Sequence, residues 1–308
     1  MMVIDCLTKL IGNTPLYRAK KIEEKFNLKA KLYLKLEMFN PAGSIKDRAS
    51  LYMIKDAEDS GKITKGATII EPTSGNTGIG ICMLSAYYGY KSIIVMPDTM
   101  SVERIKLMSA YGAEVVLTDG TLGMKGAIEK AKELNEKIPN SIVLGQFENQ
   151  ANANSHYQTT AKEIYNDLDG KVDVFVAGIG TGGTISGCGK FLKEQNSQIK
   201  IYGVEPESSP MLTKNISGAH KIQGIGANFI PTIYNSEVVD KVFTVTDKDA
   251  YDFTKLLAET EGLLCGISSG ANLKVAIENA KLNEMQDKNI VVILPDRGER
   301  YLSVENLF

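Results

Sequence analysis

One lysine lies where a helix would make its amine reactive. Lys46 follows a turn-forming Asn-Pro-Ala-Gly run and opens a predicted helix that continues to about Asp59. Ser44 and Asp47 have the spacing of a capping box, and Gly61 is suited to follow the end of the helix. In the first turn, the helix dipole disfavours a cation, so Lys46 loses its proton more easily and becomes a nucleophile. Since most lysines are solvated surface residues, Lys46 alone identifies no activity.

A glycine-rich segment after a predicted strand is suited to bind phosphate. Residues 178–184 read Gly-Ile-Gly-Thr-Gly-Gly-Thr, and a predicted helix follows. Glycines let the backbone approach an anion, and the amides at the start of a helix hold it. The glycine spacing also satisfies the dinucleotide fingerprint, with Glu205 placed to bind a ribose. A nicotinamide oxidoreductase using Gly178–Gly183 is therefore a rival interpretation, although dinucleotide loops usually open their domain, and a tight turn that serves only packing is a third.

Hydroxyl and amide side chains cluster after another predicted strand. Residues 71–78 read Glu-Pro-Thr-Ser-Gly-Asn-Thr-Gly and lead into a helix that begins near Asn76. The cluster is uncharged and lies at the unpaired N–H groups of a helix start, so it suits a carboxylate better than a cation. Capping needs one such residue, and four are present. A lysine nucleophile, a phosphate site and a carboxylate loop together are the parts that hold pyridoxal phosphate and an amino acid.

The elements that must position these loops alternate between apolar strands and amphipathic helices. The predicted strands cover 67–71, 92–96, 114–117, 141–144, 172–177, 199–204 and 289–294, and predicted helices cover 101–111, 124–136 and a stretch ending near 194. Continuous Val/Ile/Leu strands that alternate with helices are typical of parallel sheets buried on both faces. We therefore predict an α/β fold, with an inter-domain region near 145–154, a polar stretch rich in Asn and Gln.

Composition limits the classes of function. A chain of 308 residues with 43% hydrophobic and 23% charged residues predicts about two globular domains. A net charge of −2 argues against nucleic acid and anionic membranes, and we find no apolar run long enough to span a bilayer. The acidic start is unlike a signal peptide, and the four cysteines are scattered, so we expect free thiols in the cytoplasm. Two distant histidines give no basis for a metal site.

With these motifs in place, the sequence resembles the cysteine synthase and cystathionine β-synthase family of fold-type-II pyridoxal-phosphate enzymes. Besides the three loops, the motifs that carry the resemblance are 11–16, 123–128, 266–271 and 294–301, in family order over nearly the whole chain. The resemblance implies two α/β domains, each with a mainly parallel twisted sheet flanked by helices, as in tryptophan synthase β. Residues 41–150 would form the smaller domain with Lys46 and the Thr73–Thr77 loop. Residues 1–40 with 151–308 would form the larger domain with the phosphate loop.

The resemblance also assigns roles to individual residues. Lys46 would bind the cofactor covalently, and Ser268 would hydrogen-bond the pyridine nitrogen, a choice that spacing alone does not make between Ser268 and Ser269. The residues implied to hold the phosphate are Gly180, Thr181, Gly182, Gly183 and Thr184. Asn76 would contact the ring hydroxyl and the substrate. The residues implied to bind the substrate carboxylate are Thr73, Ser74, Thr77 and Gln146.

A neutral serine at the ring nitrogen would make the cofactor a weaker electron sink, which favours β-replacement over transamination. The resemblance implies that Lys46 removes the α-proton, that the β-group leaves to give an α-aminoacrylate, and that a nucleophile adds at Cβ. In the usual reaction, O-acetylserine and sulfide give cysteine and acetate. The resemblance further suggests a cytoplasmic homodimer and names serine acetyltransferase as a candidate partner.

One position departs from the cysteine synthase pattern. Residues 224–232 read Gly-Ile-Gly-Ala-Asn-Phe-Ile-Pro-Thr, with Asn228 where cysteine synthases usually carry glycine and cystathionine β-synthases aspartate. A side chain there would narrow the space for an acetyl group or bind a second substrate. The alternative reaction starts from cysteine or serine, releases hydrogen sulfide or water, and adds a thiol or water to form lanthionine, cystathionine or serine. Since asparagine tolerates left-handed backbone, Asn228 also has a purely conformational interpretation. The other motifs favour the cysteine synthase reaction.

Overall fold

The computed structural model describes residues 3–99 and 101–308. Its strands are β1 (Leu16–Arg18), β2 (Lys31–Leu36), β3 (Thr68–Pro72), β4 (Lys91–Pro97), β5 (Glu114–Thr118), β6 (Ser141–Val143), β7 (Val174–Gly178), β8 (Lys200–Pro206), β9 (Lys241–Val245) and β10 (Asn289–Leu294). Its α-helices are α1 (Lys20–Phe26), α2 (Lys46–Asp59), α3 (Asn76–Tyr88), α4 (Val102–Ala110), α5 (Gly123–Lys137), α6 (Gln150–Ser155), α7 (Ala161–Asp167), α8 (Gly183–Gln195), α9 (Met211–Lys214), α10 (Asp247–Leu256) and α11 (Ile267–Ala280). None of the helices in these ranges is both long and apolar enough to cross a bilayer.

The strands form two sheets that are parallel except at one edge. The first sheet has the order β5-β4-β3-β6, and the second has the order β1-β2-β10-β7-β8-β9. Every pair is parallel except β1 with β2. Parallel neighbours need crossover connections, which the helices supply. The predicted α/β fold with two parallel sheets is confirmed.

Both faces of each sheet are buried, which explains the continuous apolar strands. In β3, Ile69 packs into one core with residues of α2 and α3, whereas its neighbour Ile70 packs with Ala127 and Ala131 of α5. The central strand β10 divides in the same way, since Val292 and its neighbour Ile293 belong to separate cores. Successive side chains of a strand point to opposite faces, so a strand with two buried faces has no polar alternation.

The predicted strands match β3 to β8 and β10 to within about two residues, but sequence reasoning missed β1, β2 and β9. Strand β2 reads Lys-Leu-Tyr-Leu-Lys-Leu, which does not look like a buried strand. Lys35 is nonetheless fully buried, because its amine contacts the Glu163 carboxylate at 2.9 Å and the Thr14 carbonyl at 2.7 Å. The strand is buried by means of a distant acidic partner that no local pattern reveals.

A buried ionic cluster anchors the first turn of α2 to the second sheet. Arg48 lies two residues after Lys46, and its guanidinium contacts Glu37 at 2.8 Å and Glu163 at 2.6 Å. Glu37 is fully buried and directly follows β2. Removing one partner of such a pair leaves an unpaired buried charge, which typically costs about 3–5 kcal/mol. The cluster therefore fixes the helix that carries Lys46.

The capping-box prediction for α2 is partly wrong. The helix begins at Lys46, but Ser44 Oγ accepts the Lys46 N–H at 3.2 Å rather than that of Asp47. Asp47 instead accepts the Ala42 N–H at 2.6 Å. The two side chains thus bond to the backbone N–H groups of Ala42 and Lys46, and neither bonds to the backbone N–H of the other residue. Gly61, with φ of +71°, follows the helix end as predicted. All four cysteines lie in the described ranges and are free, as expected.

Candidate active site

A cavity of about 320 Å³ lies where the loops that follow β3, β6, β7 and β10 converge. These loops leave the carboxyl ends of parallel strands, where open α/β sheets bind ligands. The sequence-predicted residues that line the cavity are Lys46, Thr73, Ser74, Asn76, Thr77, Gln146, Gly180, Thr181, Gly182, Thr184 and Ser268. Gly183 lies beside them as the first residue of α8, and Asn228 is not part of the lining.

Lys46 is the first residue of α2, and its amine has no hydrogen-bond partner among the residues that the structure describes. Burial lowers the pKa of this lysine, and the charges of Asp296 and Glu37 oppose that shift. The unprotonated amine is the nucleophilic form. Position, burial and the absence of a partner in the described ranges all agree with the predicted reactive lysine.

The loop between β7 and α8 presents free backbone amides to the cavity. Helix α8 begins without a side-chain cap after Gly182, whose φ is +84°. In the described part of the chain, the N–H groups of Gly180, Thr181 and Gly182 find no protein acceptor. A Cβ at Gly180 would overlap the Gly224 carbonyl oxygen, so this approach requires glycine. Free amides at a helix start are suited to bind phosphate.

The loop between β3 and α3 presents side chains. Helix α3 begins after Gly75 with no side-chain cap, so the hydroxyls of this loop are not used for capping. The buried Thr77 hydroxyl donates to Gln146 Oε1 at 2.6 Å. Thr73 is also buried, and its hydroxyl accepts the Gly75 N–H at 3.3 Å. The arrangement brings Gln146, which lies far along the chain, into one cluster with the Thr73–Thr77 loop.

Two adjacent serines, Ser268 and Ser269, lie in the first turn of α11. Ser268 lines the cavity, whereas Ser269 does not, and the Ser269 hydroxyl is buried without a partner among the described residues. A neutral hydroxyl that faces the cavity fits the ring nitrogen of a pyridine. The geometry therefore supports Ser268, which the resemblance also favoured.

Asn228 does not reach the cavity. Its Oδ1 accepts a hydrogen bond from the Ser209 hydroxyl at 2.7 Å, and its φ is +64°. Ala227 lines the cavity instead. The expectation that the Asn228 side chain narrows the substrate space is therefore not met by this geometry. The left-handed backbone supports the conformational interpretation, because asparagine adopts this region more readily than most residues.

Glu205 is not available to bind a ribose. Its carboxylate is buried and accepts the backbone N–H groups of Leu212 at 2.8 Å and Thr213 at 3.1 Å. It also accepts the Thr213 hydroxyl at 2.5 Å. The residue therefore holds the start of α9, and the nicotinamide interpretation loses its acidic ligand.

Sequence reasoning gave no role to Asp296 and Tyr301. In the structure, both line the cavity beside Asn76. Asp296 Oδ2 accepts from Asn76 Nδ2 at 2.6 Å and from the Tyr301 hydroxyl at 2.5 Å. Arg300 donates to the Asn76 carboxamide oxygen. The motif at 294–301 marked this segment, but the pairing joins residues about 220 positions apart. These contacts fix the orientation of the Asn76 side chain.

Arg104 of α4 is a second cavity residue that sequence reasoning missed. Its guanidinium donates to the Ser74 carbonyl at 3.1 Å and to Gln223 Oε1 at 2.6 Å. The guanidinium carbon also lies 5.6 Å from the centre of the Tyr301 ring. Arg104 thus joins the loop after β3 to the segment before Gly224, on two sides of the cavity.

Comparisons with known proteins show the family of the chain. Residues 7–296 match the family described as pyridoxal-phosphate dependent enzyme. Cysteine synthase B of Campylobacter jejuni is 52% identical over 305 residues, 99% of each chain. A probable cysteine synthase of Bacillus subtilis is 52% identical over 308 residues, 99% of this chain and 98% of that protein.

Solved structures show the same relationship. Cysteine synthase from Entamoeba histolytica superposes with a TM-score of 0.96 at 42% identity, covering 100% of this chain and 91% of that chain. A hydrogen sulfide-producing enzyme from Fusobacterium nucleatum superposes with a TM-score of 0.94 at 48% identity, covering 98% of this chain and 99% of that chain. The chain belongs to the pyridoxal-phosphate-dependent enzyme family. Its fold is that of the fold-type-II cysteine synthases, and the predicted resemblance is confirmed.

The residues present fit pyridoxal phosphate. An amine without a partner in the described ranges, free backbone amides at a helix start and a neutral cavity hydroxyl match the aldehyde, phosphate and ring nitrogen of this cofactor. When bound, pyridoxal phosphate supplies an electron sink for a carbanion at the substrate Cα. The protein is a pyridoxal-phosphate-dependent enzyme, as predicted.

Proposed function

We propose that the protein catalyses β-replacement on an activated serine, converting O-acetylserine and sulfide to cysteine and acetate. One observation carries the proposal: Lys46 lines the same cavity as the Thr77–Gln146 pair and the loop after β7, whose amides are free in the described part of the chain. The relatives that are 52% identical over nearly the whole chain are named as cysteine synthases, which supports the same reaction.

In this proposal, each loop binds a different part of the cofactor or the substrate. Lys46 binds the cofactor aldehyde and moves the proton at the substrate Cα. The groups that bind the substrate carboxylate are Thr73, Ser74, Thr77 and Gln146. The groups that hold the phosphate are Gly180, Thr181, Gly182, Gly183 and Thr184. Ser268 donates to the ring nitrogen, and Asn76, oriented by Asp296, contacts the ring hydroxyl.

We also propose the domain division at 41–150. All strands of the first sheet lie within residues 68–143, and those of the second lie within 16–36 and 174–294, which supports this division. The homodimer, the serine acetyltransferase partner and the cytoplasmic location stay predictions from the resemblance. An amino-acid substrate and sulfide are consistent with the named relatives.

The test compares two reactions of the purified protein. With O-acetylserine and sulfide, we expect cysteine to form, and with cysteine alone, we expect sulfide release to be much slower. Lys46→Ala should lose cysteine formation by at least about 1000-fold, because a positioned acid–base group contributes up to about 10⁴-fold. Sulfide release from cysteine as the faster reaction, together with lanthionine, cystathionine or serine as product, would support the alternative. Full activity of Lys46→Ala would refute both.

A further inference from the structure

A buried carboxylate holds the backbone that carries Gln146. Glu71 is the penultimate residue of β3, two residues before the Thr73–Thr77 loop, and is 1% exposed. Its Oε2 accepts the Gly145 N–H at 3.0 Å, and its Oε1 accepts the Gln146 N–H at 3.1 Å. Each carboxylate oxygen of Glu71 thus accepts from one of two successive backbone amides in the loop after β6.

This carboxylate has no ionic partner. Within the described ranges, no basic side chain lies within 4.0 Å of Glu71, so the two amides are its main compensation. Burial raises the pKa of Glu71 to about 7, against the effect of these hydrogen bonds. A buried carboxylate without an ion pair is costly compared with a neutral side chain. The chain therefore keeps a costly group at a place where it holds the backbone of residues 145 and 146.

The segment that Glu71 holds is also held from its other side. The Gln146 carbonyl accepts from Asn152 Nδ2 at 2.8 Å, and the same Nδ2 donates to the Thr181 hydroxyl at 3.0 Å. The Gln146 side-chain oxygen accepts from the Thr77 hydroxyl, whereas the Gln146 Nε2 has no protein acceptor in the described part of the chain. That amide lines the cavity and is left to donate to a ligand.

We propose that Glu71 is a positioning residue that sets the affinity for the substrate carboxylate by fixing the Gln146 backbone. Glu71 touches neither substrate nor cofactor. Its two hydrogen bonds fix where Gln146 Nε2 points, and Thr77 receives the same orientation through its bond to Gln146. The identity of the substrate rests on the proposed function, but binding of an α-amino-acid carboxylate does not require the full reaction.

Glu71→Gln is the direct test, because a carboxamide has one oxygen and accepts from only one of the two amides, while its NH₂ faces the other. The matched control is Glu205→Gln. Glu205 is also a buried carboxylate at the end of a strand that accepts two successive backbone amides, but those amides belong to α9. Both variants lose the same type of interaction, and only one of them contacts the Gln146 segment.

The measurement is calorimetric binding of L-alanine to the holoenzyme, since alanine has no β-leaving group and does not turn over. We expect Glu71→Gln to bind alanine about 10-fold more weakly, the scale of one lost hydrogen bond, and to raise the KM for O-acetylserine with little change in kcat. Affinity of the apoenzyme for pyridoxal phosphate should not change. Glu205→Gln should bind alanine as the wild type does.

Equal alanine affinity in wild type and Glu71→Gln would overturn the proposal, as would an equal loss in both variants or a parallel loss of cofactor affinity. Where Glu71→Gln does not fold, Glu71→Asp, which keeps the charge on a shorter side chain, is measured against the same control with the same criteria. A wild-type protein that binds alanine but makes no cysteine would refute the proposed function and leave the result for Glu71 valid.

Discussion

The loops after β3 and β7 both precede a helix whose first N–H groups have no side-chain cap, and they differ in what they place at that helix start. Each leaves the carboxyl end of a parallel strand and enters a helix that begins without a side-chain cap. The loop after β3 fills the space at the helix start with the hydroxyls of Thr73 and Thr77. In the loop after β7, glycines leave this space free of side-chain atoms, and the backbone amides face the cavity.

This difference determines which substitutions impair each loop. A site built from side chains loses function when atoms are removed, whereas a site built from backbone amides loses function when atoms are added. The first kind also depends on partners such as Gln146 that hold the side chains in place. The second depends on close packing against neighbouring backbone, as at Gly180 and Gly224.

The largest effect is expected from adding one methyl group to the loop after β7. In Gly180→Ala, the new Cβ would overlap the Gly224 carbonyl oxygen, a backbone atom that cannot move aside easily. Overpacking of this kind costs about 1–3 kcal/mol, so we expect cofactor affinity to fall by about 10- to 100-fold. Gly75→Ala is the control in the other loop, because its Cβ would meet nothing within 4 Å. Equal cofactor affinity of Gly180→Ala and Gly75→Ala would contradict the view that only the loop after β7 is impaired by added atoms.

Removing one hydroxyl from the loop after β3 should have the next largest effect. Thr77→Val keeps the shape of the side chain but loses the hydrogen bond to Gln146. We expect the KM for O-acetylserine to rise about 10-fold, with cofactor affinity unchanged, since the lost bond is about the size of one buried hydrogen bond. Steady-state kinetics and cofactor titration measure the two quantities. A loss of cofactor affinity without a change in KM would reverse the assignment of the two loops.

Adjacent serines of α11 extend the comparison to a third helix start. Ser268→Ala removes a cavity hydroxyl, so we expect a fewfold loss of kcat/KM and a shift of the cofactor absorption band. Ser269→Ala removes a buried hydroxyl that has no partner in the described residues. Activity should be unchanged, and thermal unfolding should show equal or higher stability because an unsatisfied polar group is lost. The reverse pattern would assign the ring nitrogen to Ser269.

The smallest effect is expected at Asn228. Glycine adopts its φ of +64° without strain, and the change removes only the hydrogen bond from Ser209. We expect the stability of Asn228→Gly to change by about 1 kcal/mol or less and the ratio of activities with O-acetylserine and cysteine to stay the same. A clear rise in the preference for O-acetylserine would restore the interpretation that this side chain selects the substrate.

Local patterns predicted most of the sheets and the three loops, because burial on both faces and helix starts leave signals within a few residues. They did not predict contacts that form between distant parts of the chain. Asn76 meets Asp296 across about 220 positions, and Lys35 is buried only because Glu163 reaches it. The direction of the Asn228 side chain likewise depends on Ser209, which lies in another loop. Such outcomes are set by tertiary packing and have no local pattern.

The place of β10 in the second sheet bears on how the chain is made. This strand lies between β2 and β7, yet it is the last of the described strands to leave the ribosome. The first sheet uses consecutive residues and can assemble during synthesis, while the second waits with two open strand edges. Because Asp296 lies two residues after β10, the nascent chain completes the lining of the cavity only at this late stage, and until then the edges of β2 and β7 that β10 pairs with stay uncovered.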